Sequence, residues 1–417
     1  MQRQKRMRNT SDEEGARNET KKLFFRIIIA FCKFSVTESR MNYRIKSIEG
    51  CRGLAALMVM LAHFIVMFFP AIFWGPDYTH WKQGTDYLLA QILPIPAGDS
   101  AVTLFFVITG FGTYIAIDEA RIDIRKYILL RYFKLLLLTL LGALPVVVLL
   151  KSGLVFVPDI ANNIHTPWFN GWPPTGISLV QIILHNPLDM FVVYNNVLWT
   201  MPYFFYGTII SFILTSIYSR SLWANIYVSL AAILILGNIA QYYYMACVMG
   251  VLLAFCYKYR PDKLQLSSLS KIIIFILTLY LCSYPTGIVG REGIFLQHDF
   301  KQAYIIYHTL GAALLAMLAL EPNSIIKQVM ESRLFQWLGR YSMGIYLIHY
   351  SILISLIAFL FSYLPEDLSY PHKTLMLLII YLICSLAAGV PVQAAGNYLS
   401  RLLDKLYKNI FRRCLSE

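Results

Sequence analysis

The segment "EGCRGLAALMVMLAHF" (Glu49–Phe64) decides the fold. It is an apolar run of membrane-spanning length, continuing through "IVMFFPAIF", that begins on an arginine and carries a histidine near its middle. A helix that served only as an anchor would need neither. Ionisable side chains in a bilayer-spanning helix are costly, so by default they mark a site. Arg52 and His63 are eleven residues apart. At 100° per residue they return to within about 20° of one face, about 16 Å apart along the axis.

The rest of the chain agrees with a membrane reading. Of 417 residues 58% are hydrophobic and only 14% charged, with a mean hydropathy of +0.57. These values place the chain with polytopic membrane proteins, and its length accommodates about ten spans of roughly 20 residues. Seven cysteines are scattered, most within apolar runs. Without C-x-x-C or Cys/His ligand spacing they suggest packing residues, no metal site and no disulfide framework.

Apolar spans are expected at about 53–73, 100–118, 134–151, 198–218, 222–240, 241–257, 271–289, 302–320, 343–363 and 374–396. The pair 222–257 is broken only by "LGNIAQYYY" and reads either as one long helix or as a tight re-entrant pair. Charge arbitrates. With ten spans and an inside N-terminus, connections on one side carry 18 Lys/Arg against 5 on the other, before the basic N-terminal region is counted. Merging the pair puts the four cations of 258–271 on the wrong side. The positive-inside rule therefore predicts an all-α, polytopic protein of about ten transmembrane helices with both termini cytosolic. It also makes the net charge of +13 topological and not a sign of nucleic-acid binding.

Three regions follow. Residues 1–44 read as a cytosolic tail, polar over 1–22, with a possible interfacial helix in "LFFRIIIAFCKF" (23–34). Met41 is an alternative start, and the sequons at Asn9 and Asn18 fall on the cytosolic side. Residues 45–397 form the membrane domain, and 398–417 a basic amphipathic tail suited to an anionic leaflet. The long connections 74–99 and 152–197, the latter with "HTPWFNGWPPTG", read either as interfacial aromatic belts or as a lid or acceptor-binding surface.

An arginine at headgroup level can hold phosphate with its planar fork. A histidine in an apolar interior is kept in the neutral form a general base requires. The plainer readings are that Arg52 obeys the positive-inside rule and pairs with Glu49, and that His63 is a hydrogen-bonded packing residue. Further along, "AVTLFFVITGFGTYIA" (101–116) is expected to break at Thr109-Gly110, and Arg131 and Lys134 to lie at the cytosolic mouth of the third span. "LWTMPYFFYG" (198–207) contains Trp199, with Pro202 expected to free a carbonyl. "LGRYSMGIYLIHYSIL" (338–353) places His349 inside an apolar helix.

Together these stretches resemble the integral-membrane acyltransferase 3 family. The Arg-x10-His element, "FFVITGF" (threonine where serine is usual), the basic pair Arg131/Lys134, "LWTMP" and "LGRYSMGIYLIH" match family stretches in order over about residues 45–400. The resemblance implies transfer of an acyl group, often acetyl, from an acyl-CoA-type donor such as acetyl-CoA to a hydroxyl acceptor: a carbohydrate, lipid or small molecule. The partners are then donor, acceptor and membrane lipid; the cysteine spacing and the charge pattern lead to an expectation of no metal and no nucleic acid, and the oligomeric state is unknown. By the same likeness His63 is the catalytic base and Arg52 a donor-site or structural partner. Arg131, Lys134, Thr109 and Gly110 bind the donor or stabilise the oxyanion, with His349 and Trp199 as further candidates. Two departures stand out. Phe204 occupies a usually acidic place and "PVQAAG" lacks a carboxylate, so a partner for the histidine is expected from Asp99 or Asp118, or is absent. The competing reading is a proton-coupled transporter or flippase using His63 and His349.

Overall fold

The computed structural model describes residues 45–74, 98–120, 124–156, 188, 195–285, 302–365 and 367–416. The N-terminal tail, the 23–34 segment, Met41, the sequons and most of the two long connections lie outside these. Among the described residues there are helices and no strand. Ten apolar helices stand where ten runs are expected: α1 (Lys46–Phe68), α2 (Gly98–Ala120), α3 (Ile124–Lys151), α4 (Met201–Ile217), α5 (Leu222–Asn238), α6 (Tyr244–Tyr259), α7 (Ser268–Cys282), α8 (Ala303–Leu320), α9 (Arg333–Ile352) and α10 (Tyr370–Ser416). Seven of the apolar segments are long and apolar enough to cross a bilayer; α5, α6 and α7 are shorter. The protein is an integral, multi-pass membrane protein. Its exterior is correspondingly apolar, as with Trp223 (68% exposed) and Leu269 (67%), while His308, His349 and Asn195 are buried inside.

The doubtful pair is a hairpin. Residues 239–243 separate α5 from α6. Gln241 N–H reaches back to the Leu236 carbonyl and Ala240 N–H to Gly237, closing α5 with a reversal that places Ala240 at φ 55°. The Tyr218 hydroxyl meets Ser229 midway along α5, and its ring lies 6.0 Å from Phe255 near the end of α6, so the two helices fold back on each other.

Contacts fix helix directions. Along α1 and α9 the numbers rise together, from Gly53 against Leu338–Gly339 to His63 against His349, so these helices are parallel. The same holds for α2 and α6, from Asp99–Tyr243 to Asp118–Lys258. Antiparallel pairs are α7/α8 (Lys271–Glu321, Cys282–Gly311) and α3/α10 (Leu141–Gly396, Lys134–Asp404). Glycines set the closest crossings. Cβ atoms on Gly110 and Gly250 would overlap the carbonyl oxygens of Cys247 and Val107, so α2 and α6 touch backbone to backbone.

Several details differ from expectation. α2 runs unbroken through Thr109-Gly110, because Gly110 serves the crossing with α6. α3 and α9 each begin about ten residues early, at Ile124 and Arg333, since their polar first turns are helical too. Pro202 lies in the first turn of α4, where no N–H is needed, and the Leu198 carbonyl accepts from Met201. No break separates residues 398–416 from the apolar part of α10.

Candidate active site

His63 and His349 meet. Eleven residues of α1 return Arg52 and His63 to one side, and both touch α9: Arg52 at Ser342 and Gly339, His63 at His349. The imidazoles lie nearly parallel, centroids 5.0 Å apart, with His63 Nδ1 2.7 Å from His349 Nε2. His349 Nδ1 lies 3.1 Å from the Ile345 carbonyl oxygen, one turn back on its own helix. A carbonyl can only accept, so His349 Nδ1 carries the proton and its Nε2 carries a lone pair. His63 Nδ1 must then donate to that lone pair, which places the His63 lone pair on Nε2. The chain Ile345 O, His349, His63 thus fixes the tautomer of His63 and leaves it a proton acceptor. His349 is fully buried; His63 is half-buried.

His63 lies five residues, about 7.5 Å, from the end of α1 at Phe68 and about 25 Å from Lys46. Gly98, at the start of α2, backs against Ala62 beside it. Both carboxylates expected near it have other partners. Asp118, at the other end of α2, pairs with Lys258 at 2.6 Å and accepts from the Tyr259 hydroxyl at 2.7 Å. Asp99 accepts from the Tyr243 hydroxyl at 3.4 Å.

The first turns of α1 form a second polar group. Arg52 pairs with Glu49 through Nη2, which also donates to the Gly339 carbonyl at 3.1 Å, and Nε donates to Ser342 Oγ at 3.0 Å. Arg52 therefore clasps α1 to α9 while remaining about a third exposed (36%). Of the basic pair on α3, Lys134 is taken by Asp404 of α10 at 3.1 Å. Arg131 differs: its buried Nε has no hydrogen-bond partner among the described residues. Thr109 is spent within its helix, its hydroxyl donating to the Phe105 carbonyl at 2.9 Å. With α2 regular there, the amides of Thr109-Gly110 lie within a continuous helix.

Trp199 belongs to a short 3₁₀ turn, Asn196–Thr200, pinned on both sides. Buried Asn195 caps it, accepting from Val197 N–H and donating to the carbonyls of Gly142 and Leu347 at 2.8 and 3.0 Å. The Tyr346 hydroxyl donates to the Val197 carbonyl at 2.7 Å and meets Thr200 Oγ1 at 2.9 Å, while its ring lies 5.9 Å from His349. Asn195→Ala removes three buried hydrogen bonds and is expected to cost about 1–3 kcal/mol, read as a lower melting temperature in detergent.

The family model described as an acyltransferase domain matches residues 45–393. The chain belongs to this acyltransferase family. Acyltransferase clz18 of Cochliobolus lunatus is 26% identical over 164 residues, covering 36% of this chain and 34% of that protein. The chain thus spans about a third of the length of this relative. No solved structure matches. Within the acyltransferase domain, sequence reasoning had named His63 and His349 separately. It missed their contact, which joins positions 286 residues apart, and the roles of Asn195 and Tyr346, whose signals lie only in three-dimensional packing.

Proposed function

We propose that the chain is a membrane-embedded O-acyltransferase in which His63, oriented by His349, is the general base. The observation that carries this reading is the histidine pair itself, in a chain of this family: it supplies the tautomer control a carboxylate would otherwise give. The acceptor hydroxyl passes its proton to His63 Nε2 as its oxygen attacks the thioester carbonyl of an acyl-CoA donor. The tetrahedral intermediate then collapses, the C–S bond breaks, and the thiolate recovers the proton from His63. The positive charge that His63 carries between the two steps is stabilised by the acceptor nitrogen of His349. Acetyl is the expected acyl group.

The same reading includes ten crossings with both termini cytosolic. Parallel pairing of α1 with α9 and of α2 with α6, and antiparallel pairing of α7 with α8 and α3 with α10, supports a chain that reverses at each apolar helix. The cytosolic end is then the basic one, where the phosphates of the donor enter, and His63 lies toward the opposite leaflet. This separation explains the two polar residues of the opening helix: Arg52 stabilises the donor end and its contact with α9, and His63 does the chemistry.

Transfer of label from radiolabelled acetyl-CoA in membranes holding wild type or His63→Ala at matched levels tests the reading; transport of an acceptor without donor, and no transfer, would favour a transporter instead. A second prediction concerns the donor end. Arg131→Gln is expected to raise the KM for acetyl-CoA by about tenfold, the worth of one charged phosphate contact. Asp404→Asn, which only releases Lys134, is expected to change it by less than about twofold. Equal effects of the two variants would remove Arg131 from the donor site.

A further inference from the structure

Five elements converge around Asp99 at the end of the bundle where His63 lies. Asp99 opens α2, Trp199 comes from the 3₁₀ turn, Tyr203 from α4, Tyr243 from the α5–α6 turn and Tyr304 from the start of α8. The Trp199 ring lies 5.3 Å from Tyr243 and 5.6 Å from Tyr203, and those two are 5.1 Å apart. Tyr243 donates to Asp99 at 3.4 Å, and Tyr304 lies close to both. Asp99, Trp199, Tyr243 and Tyr304 are half-buried, so the group is reachable from that end.

Charge separates this group from ordinary aromatic packing. Glu49, Asp118, Glu321 and Asp404 each hold an arginine or lysine. Asp99 has no cationic partner among the described residues, although the chain carries a surplus of 13 positive charges. A carboxylate within apolar surroundings and without a counter-ion is costly and marks a site. The negative faces of tryptophan and tyrosine attract the same sign of ligand that the carboxylate does. The group is linked to the base through neighbouring residues. Tyr346 holds the 3₁₀ turn that carries Trp199 and packs on His349, and Gly98 touches Ala62 next to His63.

We propose that Asp99, Trp199 and Tyr243 form an acceptor subsite for a hydroxyl compound bearing a cationic ammonium group. The ammonium sits between the carboxylate and the aromatic faces, and the hydroxyl is presented toward His63. A neutral polyol could stack on Trp199 but would leave Asp99 without its counter-charge. The word "acceptor" rests on the acyltransferase reading; the binding site itself does not.

The test measures binding without donor, so it is independent of acyl transfer. Purified full-length protein in nanodiscs is titrated with radiolabelled choline, ethanolamine and glucosamine. Unlabelled 3,3-dimethylbutan-1-ol, the neutral isostere of choline, and glucose serve as competitors. Wild type is expected to bind at least one cationic compound saturably and to prefer it over its neutral counterpart by at least about tenfold. Asp99→Asn is expected to abolish that preference while remaining monodisperse, and Trp199→Leu to weaken binding. Absence of saturable binding by all three cations, equal competition by the neutral isosteres, or an undiminished preference in Asp99→Asn overturns the proposal. Specific binding without acyl transfer would leave the subsite standing and remove the acyltransferase reading.

Discussion

Replacing His63 by alanine is expected to lower acyl transfer by about 10²–10⁴-fold at equal protein level, the usual contribution of a positioned general base. The argument rests on the direction of two hydrogen bonds. The Ile345 carbonyl fixes the proton of His349 on Nδ1, and the 2.7 Å contact between the rings then fixes the proton of His63 on its own Nδ1. His349→Ala removes only the second imidazole. It leaves the base in place but without control of its tautomer or support for its charged form. A loss of about 10–10²-fold is expected, as when the hydrogen-bond partner of a functional imidazole is removed. Rates are read from label transfer at saturating donor, with detergent melting curves showing that both variants fold. Because the lesion is in chemistry, kcat falls and the KM for donor changes little.

The second large effect is on stability. Gly110→Ala or Gly250→Ala places a methyl group where the carbonyl of Cys247 or Val107 now lies. The neighbour is backbone in both cases, so no side chain can turn away, and α2 and α6 must separate along their whole length. Overpacking of this kind typically costs about 1–3 kcal/mol and occasionally more, and the rigid neighbour puts these variants at the upper end. Gly112, on the same helix but with open space beside its Cα, is the control, since Gly112→Ala adds a better helix former without a clash. Melting temperature in a single detergent separates them: a clear fall for Gly110→Ala and Gly250→Ala, and none for Gly112→Ala. Equal behaviour of all three would mean that the α2–α6 crossing is looser than described.

Much of the fold was legible because hydrocarbon imposes a simple code. Ten apolar runs became ten helices, and charge counting rightly separated α5 from α6. The errors share a physical cause, the reading of local composition as local conformation. Thr109-Gly110 looks like a break, yet glycine in a helix is tolerated when it lets a neighbour approach. The polar turns before residues 134 and 343 look like loops, yet they continue their helices to the basic end. For the site, periodicity correctly put Arg52 and His63 on one face but left open what that face meets. Where a carboxylate of Asp99 or Asp118 was sought for His63, the structure places a histidine of α9 against it. Lys134, expected beside Arg131 as a donor contact, pairs with Asp404, a contact between distant helices that composition cannot show.

The histidine pair is the central claim, and a double-variant cycle on rates tests it most directly. Acyl transfer from radiolabelled acetyl-CoA is measured for wild type, His63→Ala, His349→Ala and the double variant at matched protein levels. If His349 acts through His63, the double variant is no slower than His63→Ala alone, because the second imidazole has nothing left to orient. If the two losses multiply, or if His63→Ala transfers label as wild type does, the imidazoles do not act as one unit and the mechanism is wrong.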